Sequence, residues 1–553
     1  MRGLPRPLLL LAMLAVTVAA LAIRLPRLDH RPMHGDEANQ AVKAAWLLET
    51  GVYRYDPEEH HGPTLYWLTL PSLWLQGAST LAETREADYR IVPVVFGAGV
   101  ILLLLLVHDG LSAGPLLAAA LLAAISPAMV FYARYYIQET LLVFFTAAAL
   151  GSAWRWFRSP SPGWAVAAGA SIGLMHATKE TWILAAAAMA AGLAASLLWT
   201  RWRDRQPISV RPFLRLGPLL AALAAACVAA VLLYSSFGAD WNGPLDSLLA
   251  YGTYLRRGRE AGIHAAPWYE YLRWFVAFRP ARGFFWTEGL IVGLAVCGGA
   301  FALGSRQRSG GKGHHAPGSP LPPEAVAGEG RGGPSLIFCR FLAFYTLVLL
   351  GLYSAIPYKT PWCLLSFLHG MVLLAGVGAY AVIHWAKFAP LKALAAGLLL
   401  IGTGHLARQT YWLNFRLDAD PRNPYVYAHT SRDVLNLAAR MEHLAQASPR
   451  GHAMVIHVVM PENYWPLPWY LRRFDRDRVG YWQDPAAWAR EAAQGPTPEI
   501  VLLSPDVQEA VDAGLRAAYN KQMIFGLRPG VFVSVYVRED LWRAFLDSQG
   551  GRP

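Results

Sequence analysis

Four clusters hold most of the side chains that could do chemistry. The first begins with His34-Gly35-Asp36-Glu37-Ala38. Adjacent carboxylates repel each other and resist desolvation unless a cation, a metal or a proton donor uses them. Such a carboxylate can deprotonate an acceptor hydroxyl as it attacks a sugar carbon. The alternative is a solvated helix start, because Asp36 and Glu37 suit the first turn of a helix over 38–49. Glu58-Glu59-His60-His61-Gly62-Pro63 follows in the same loop. With His34, Asp36 and Glu37 it could ligate a divalent metal such as zinc or manganese. No HExxH or comparable spacing is present, and a polar turn with interfacial histidines accounts for the same residues.

The second cluster is Tyr132-Ala133-Arg134-Tyr135-Tyr136-Ile137-Gln138-Glu139-Thr140. Arg134 suits a phosphate or carboxylate, and Glu139 lies between apolar runs, where a carboxylate needs a partner or a function. Tyr and Arg are also ordinary interfacial anchors. In His176-Ala177-Thr178-Lys179-Glu180-Thr181-Trp182, Lys179 and Glu180 form either part of a site or a surface pair of little energetic weight. In Ile356-Pro357-Tyr358-Lys359-Thr360-Pro361-Trp362, Lys359 could hold a lipid phosphate or could snorkel from a loop.

The elements that must position these clusters are membrane helices. The chain is 55% hydrophobic and 16% charged, against about 25% charged for a soluble protein. Runs such as Ile91–Val107, Leu219–Phe237 and Phe341–Ile356 approach or reach the roughly 20 residues that cross a bilayer. The net charge of +12 fits Lys and Arg gathered in cytoplasmic loops rather than a nucleic-acid partner. Cys227, Cys297, Cys339 and Cys363 lie in or beside apolar stretches with no pairing or metal spacing and read as packing residues. The run after Pro7 could be a signal peptide; Arg24 and Arg27 directly behind it favour an uncleaved first span.

Basic loops fix the sides. Arg201 to Arg215, Arg306 to Arg331, Lys387 with Lys392, and Arg155 with Arg158 belong in the cytoplasm. The connection over 305–335, rich in Gly, Pro and Ser, reads as disordered. Threading spans between these loops places 134–139, 177–182, 238–283 and 357–361 outside. The N-terminus is then inside and the C-terminus outside. The count holds only if Pro63–Gly77, short and rich in Tyr and Trp, lies in the membrane plane within one external loop over 25–90. About eleven spans result, filling 1–411.

The tail over 412–553 differs in kind. Met454–Met460, Ile500–Leu503 and Val531–Val537 read as buried strands, and Ser431–Ala447 and Pro505–Tyr519 as helices, the first capped by Ser431. The predicted fold is therefore mainly α, a polytopic transmembrane bundle with a small extracytoplasmic α/β domain. Tyr464-Trp465-Pro466-Leu467-Pro468-Trp469-Tyr470 could stack on sugar rings or stiffen that domain's surface.

With the acidic pair in the first external loop, the in-plane helix and the external tail, the chain resembles the GT-C superfamily of membrane glycosyltransferases. Relatives there include dolichyl-phosphate-mannose protein mannosyltransferases and the aminoarabinose transferase of lipid A. The ordered set His34–Ala38, His61-Gly62-Pro63, Arg134–Glu139, Tyr358–Trp362 and Asn423–Ser431 is more closely similar to the flippase-activity-associated proteins of archaeal and bacterial glycosylation clusters. The resemblance implies a plasma-membrane enzyme that transfers a sugar from a polyprenyl-phosphate donor to a protein, lipid or glycan acceptor. Asp36 then matches the family's catalytic base, with Glu37 beside it; Glu139, as a carboxylate that needs a partner or a function, is a further catalytic candidate on its residue type alone. Arg134, Lys179 and Lys359 are candidates for the donor phosphate by charge, and His34, His61, Tyr135 and Trp362 for substrate contact. A lipid-linked-sugar flippase, or a flippase-associated protein without catalysis, is the alternative. A flippase predicts ionisable groups near the midplane and repeated broken helices, which the sequence does not display.

Overall fold

The computed structural model describes residues 5–58, 61–205, 215–259, 262, 265–280, 283–306 and 333–550. Arg2, Glu59, His60 and Arg211 lie outside them, as does most of the connection expected to be disordered.

Eight helices among the described residues are long and apolar enough to cross a membrane: Arg6–Arg24, Glu86–Leu111, Glu139–Arg158, Trp182–Asp204, Leu216–Tyr234, Leu336–Ala355, Pro361–Trp385 and Ala389–Phe415. Two shorter apolar helices, Ala113–Ile125 and Gly289–Gly304, and a third short helix, Pro162–His176, stand among them. The expected count of about eleven is met only with these three included. The last long helix runs to Phe415, past the boundary expected at residue 411.

Lipid tails give no hydrophobic drive between helices, so close contact depends on small residues. Gly169 and Gly173, four residues apart on Pro162–His176, meet the backbone of Leu216–Tyr234. A Cβ on Gly169 would stand 1.9 Å from the Ala222 carbonyl oxygen, and one on Gly173 2.3 Å from that of Ala226. Buried charge ties the opposite end of the bundle from the four clusters. The Arg340 guanidinium pairs with Asp204 and donates to the Ala302 and Ser305 carbonyls, joining three helices.

The helix Gly35–Thr50 opens with a capping box. The Asp36 amide donates to His34 Nδ1 (3.0 Å), and Glu37 reaches back to the His34 amide (3.1 Å). The stretch Pro63–Gly77 folds as a helix over Thr64–Leu75. Its 12 residues rise about 18 Å, short of a hydrocarbon core of about 30 Å. Trp74 and Leu75 at its end are exposed.

The tail forms a five-stranded sheet: β1 (Ile456–Val459), β2 (Val479–Trp482), β3 (Ile500–Leu503), β4 (Tyr519–Arg528) and β5 (Val531–Arg538). Its order is β2-β1-β3-β5-β4, with β1 parallel to β2 and β3 and the β3–β5 and β5–β4 pairs antiparallel. The helix expected over Pro505–Tyr519 ends at Gly514, and Tyr519 already opens β4. The helix expected from Ser431 forms over Asp433–Ala447, with Arg432 rather than Ser431 at its N-cap; Ser431 Oγ accepts from the Asp433 amide (3.2 Å). One face of the sheet packs a core of its own, with Val459, Trp488, Val501, Leu503 and Tyr536, and the other shares its core with the first loop. Val434, Ile456, Leu467 and Trp469 pack in one cluster with Met33, Leu65 and Tyr89 of the first loop and its flanking helices. The first loop is thereby held between membrane helices and tail.

Candidate active site

The acidic pair divides on folding. The Glu37 side chain is fully buried, and both of its oxygens are taken. Arg90 donates from Nε (2.8 Å) and Nη2 (2.7 Å), Arg31 from Nη2 (3.3 Å), and the Tyr136 amide at 2.9 Å. Burial alone would raise the Glu37 pKa. The charges of Arg90 and Arg31, with these hydrogen bonds, outweigh it and hold the carboxyl well below the usual range. The Asp36 side chain, one residue earlier, is 51% exposed. Helical geometry alone separates successive side chains by about 100°, so one carboxylate can anchor the loop while the other faces a cavity.

That cavity has a volume of about 690 Å³. Asp36, His61, Glu139, Lys179 and Trp362 line it, one or more from each of the four clusters. Loops far apart in sequence thus converge on one end of the bundle, as the charge parity requires. Leu184, Leu255 and Leu352 supply an apolar wall. Lys179 and Glu139 form a buried ion pair inside it. Burial would lower the Lys179 pKa, and the Glu139 carboxylate reverses that and holds it above the ordinary lysine value. Glu180 accepts from Tyr55 (3.2 Å) and is bonded to His61 Nδ1 (3.0 Å). Burial first, and the Asp36 charge second, push the Tyr358 hydroxyl up to about 12.

The other expected site residues do not line the cavity. His34 is spent on structure: Nδ1 accepts from the Asp36 amide, so Nε2 is the nitrogen that donates to the Tyr427 carbonyl (3.1 Å). Arg134 donates to the Arg24 and Pro26 carbonyls (2.9 and 2.8 Å) and covers the Phe415 ring, tying the first span to the last. Tyr135 is buried between the Arg31 guanidinium and the Trp362 ring. Lys359 donates to the Ser354 and Ile356 carbonyls and so caps the end of its own helix, Leu336–Ala355. Sequence reasoning missed Arg31 and Arg90, the two partners of Glu37. Arg90, directly before the apolar run from Ile91, carried a usable signal, since an arginine entering a span requires a partner.

Among the described residues, which leave out Glu59 and His60, the metal expectation finds no donor set. His34 uses both ring nitrogens on the backbone and Glu37 is enclosed by arginines. Among the described residues no group of three or more His, Cys, Asp or Glu could hold a metal ion.

Residues 68–235 match the family profile of dolichyl-phosphate-mannose-protein mannosyltransferases. The match includes Glu139 and Lys179 and begins after Asp36. No curated protein matches the chain. Among solved structures the chain is similar to ArnT from Cupriavidus metallidurans in the apo state. Identity is 15%, coverage 94% of this chain and 97% of that one, and the TM-score 0.60. The same enzyme bound to undecaprenyl phosphate gives a TM-score of 0.61 at 15% identity and the same coverage. The Archaeoglobus fulgidus oligosaccharyltransferase in its apo form is similar at 12% identity and a TM-score of 0.51, over 98% of this chain and 77% of that one.

Proposed function

Because the chain has the fold of the GT-C membrane glycosyltransferases, we propose that it transfers a sugar from a polyprenyl-phosphate donor to an acceptor hydroxyl at the extracytoplasmic face of the plasma membrane. The observation that carries this reading is that Asp36 and Lys179 line one cavity with an apolar wall. A lipid-linked sugar phosphate needs that combination: a base, a cation and a surface for the isoprenoid chain.

In the reaction the acceptor oxygen attacks the anomeric carbon and its proton passes to the Asp36 carboxylate. The bond between that carbon and the phosphate oxygen breaks, and polyprenyl phosphate leaves with the electron pair. A positioned base of this kind contributes about 10²–10⁴-fold. An ammonium has three donors; Glu139 takes one from Lys179, which leaves others for the phosphate. Glu139 and Glu37 are positioning residues on this reading, and Arg134 and Lys359 are structural.

The test is purified protein in proteoliposomes with a panel of radiolabelled polyprenyl-phosphate sugars and acceptors. Release of polyprenyl phosphate coupled to label on an acceptor supports transfer. Label crossing the bilayer still attached to its lipid would instead establish translocation and overturn the proposal.

A further inference from the structure

The tail contributes a surface beside the base. Gly35, the residue before Asp36, lies against Trp465: a Cβ placed on it would stand 3.4 Å from the Trp465 Cβ and 3.9 Å from its carbonyl oxygen. The segment that carries Trp465 is fastened to the first loop at several points. The Tyr470 hydroxyl accepts from the Met33 amide (2.9 Å), Trp469 Nε1 donates to Glu86 (2.9 Å), and Arg472 donates to the Thr84 carbonyl. Behind it, Arg528 donates to the Trp465 carbonyl (2.8 Å). The segment is therefore a fixed wall against Gly35, the residue before Asp36, and not a loose surface loop.

What the wall presents is aromatic and polar. Tyr464 and Trp465 are half-buried, and Tyr464 packs on Tyr481 with ring centroids 4.9 Å apart. Asn463 is exposed; its Oδ1 accepts from the Trp465 amide (2.9 Å), and its amide nitrogen has no hydrogen-bond partner among the described residues. Two more tyrosine hydroxyls feel the charge of Asp36 after the effect of burial, Tyr358 and Tyr427. Flat rings with the C–H faces of a pyranose against them, and an amide that donates to a hydroxyl, are a chemistry that suits a sugar.

We propose that Asn463, Tyr464 and Trp465 form the acceptor subsite and that the acceptor they take is a carbohydrate, so that the group losing its proton to Asp36 is a sugar hydroxyl. The proposal rests on the transferase reading above. Stacking on the two rings orients the acceptor, and the Asn463 amide fixes its register.

Binding and catalysis are separable in the test. Saturation-transfer NMR of the full chain carrying Asp36→Asn, with manno-, gluco- and galacto-oligosaccharides and with serine- and threonine-containing peptides as probes, reads acceptor binding without turnover. At least one oligosaccharide class should bind. Trp465→Ala should weaken it about tenfold, the scale of one lost aromatic stack, and Trp465→Phe should recover most of it. Asn463→Asp retains the acceptor for the Trp465 amide and replaces the donor by a charged acceptor oxygen; it should weaken binding without altering the melting temperature. Binding of peptides but of no oligosaccharide, or oligosaccharide binding indifferent to Trp465→Ala and Asn463→Asp, overturns the proposal. Full transfer activity in Asp36→Asn would instead overturn the assignment of Asp36 as the base, and label crossing the bilayer still attached to its lipid would overturn the transferase reading on which the proposal rests.

Discussion

Asp36 and Glu37 are neighbours in the chain and opposites in the fold. Asp36 stands half in solvent at a cavity, while Glu37 is fully enclosed by Arg90 and Arg31. The acidic pair is therefore one anchor and one carboxylate left facing the cavity, the proposed base. The anchor joins the first loop to the helix Glu86–Leu111 and, through the Tyr136 amide, to the second cluster. It sets where Asp36 points.

Glu37→Gln should cost stability first. Removing one member of a buried charge cluster leaves the others uncompensated, typically at about 3–5 kcal/mol. Thermal unfolding in detergent should show a large drop for Glu37→Gln and a small one for Asp36→Asn. The pH dependence follows from the depressed Glu37 pKa. A folded value below the unfolded one gives stability that is present at neutral pH and lost as pH falls through the folded value. Its contribution should therefore be full above pH 4.5, the ordinary glutamate value, decline as pH falls below it, and be gone once pH has passed the folded value. A melting temperature equal to wild type in Glu37→Gln would show that the anchor does not matter.

Lys179 and Lys359 looked equivalent in sequence and should behave differently. Lys179→Met leaves Glu139 buried without its partner and should destabilise the protein. The double variant Lys179→Met with Glu139→Gln should recover stability, because the orphaned charge is gone, and should still fail to turn over the donor. Lys359→Met should lose two carbonyl caps, about 1 kcal/mol each, with KM for the donor unchanged. A raised donor KM in Lys359→Met and none in the double variant would reverse the assignment of the phosphate contact.

Arg134→Lys should loosen the junction of the first and last spans. A lysine cannot reproduce the planar guanidinium against Phe415 together with both carbonyl contacts. The expected outcome is a loss of about 1–3 kcal/mol in unfolding, with the transfer rate of the surviving protein unaltered. A selective loss of donor binding at wild-type stability would return Arg134 to the site.

Gly62→Ala should damage activity without touching a charged group. A Cβ there would stand 2.2 Å from the Ala177 carbonyl oxygen and 2.4 Å from its carbon, an approach that only displacement of a loop can relieve. The loop pair it joins carries His61 on one side and Lys179 and Glu180 on the other. Transfer should fall well before the protein unfolds, and assays on folded, monodisperse Gly62→Ala will show whether it does.

Much of the fold could be read from the residues. Long apolar runs require spanning helices, and the basic loops between them require the four clusters to share one end. That is where the structure brings them. Three of the five strands were visible because β-branched, apolar runs define them. The other two were not: β2 is four residues behind Arg476-Asp477-Arg478, and β4 opens on Tyr519-Asn520-Lys521-Gln522, which lacks an apolar alternation. In the site, the residue types were legible and their division of labour was not. Whether a charged group anchors or reacts depends on partners distant in sequence, such as Arg90 for Glu37 and Arg24 for Arg134. Lys359 shows the converse, a cation consumed by its own helix end.

The most direct measurement of the central claim is transfer by Asp36→Asn in proteoliposomes, with a donor that the wild type consumes. The substitution preserves the size of the side chain and removes the base. The account predicts insertion, a melting temperature close to wild type, retained donor binding, and transfer reduced by about 10²-fold or more. Transfer at the wild-type rate would contradict it and would move the base to another residue of the cavity.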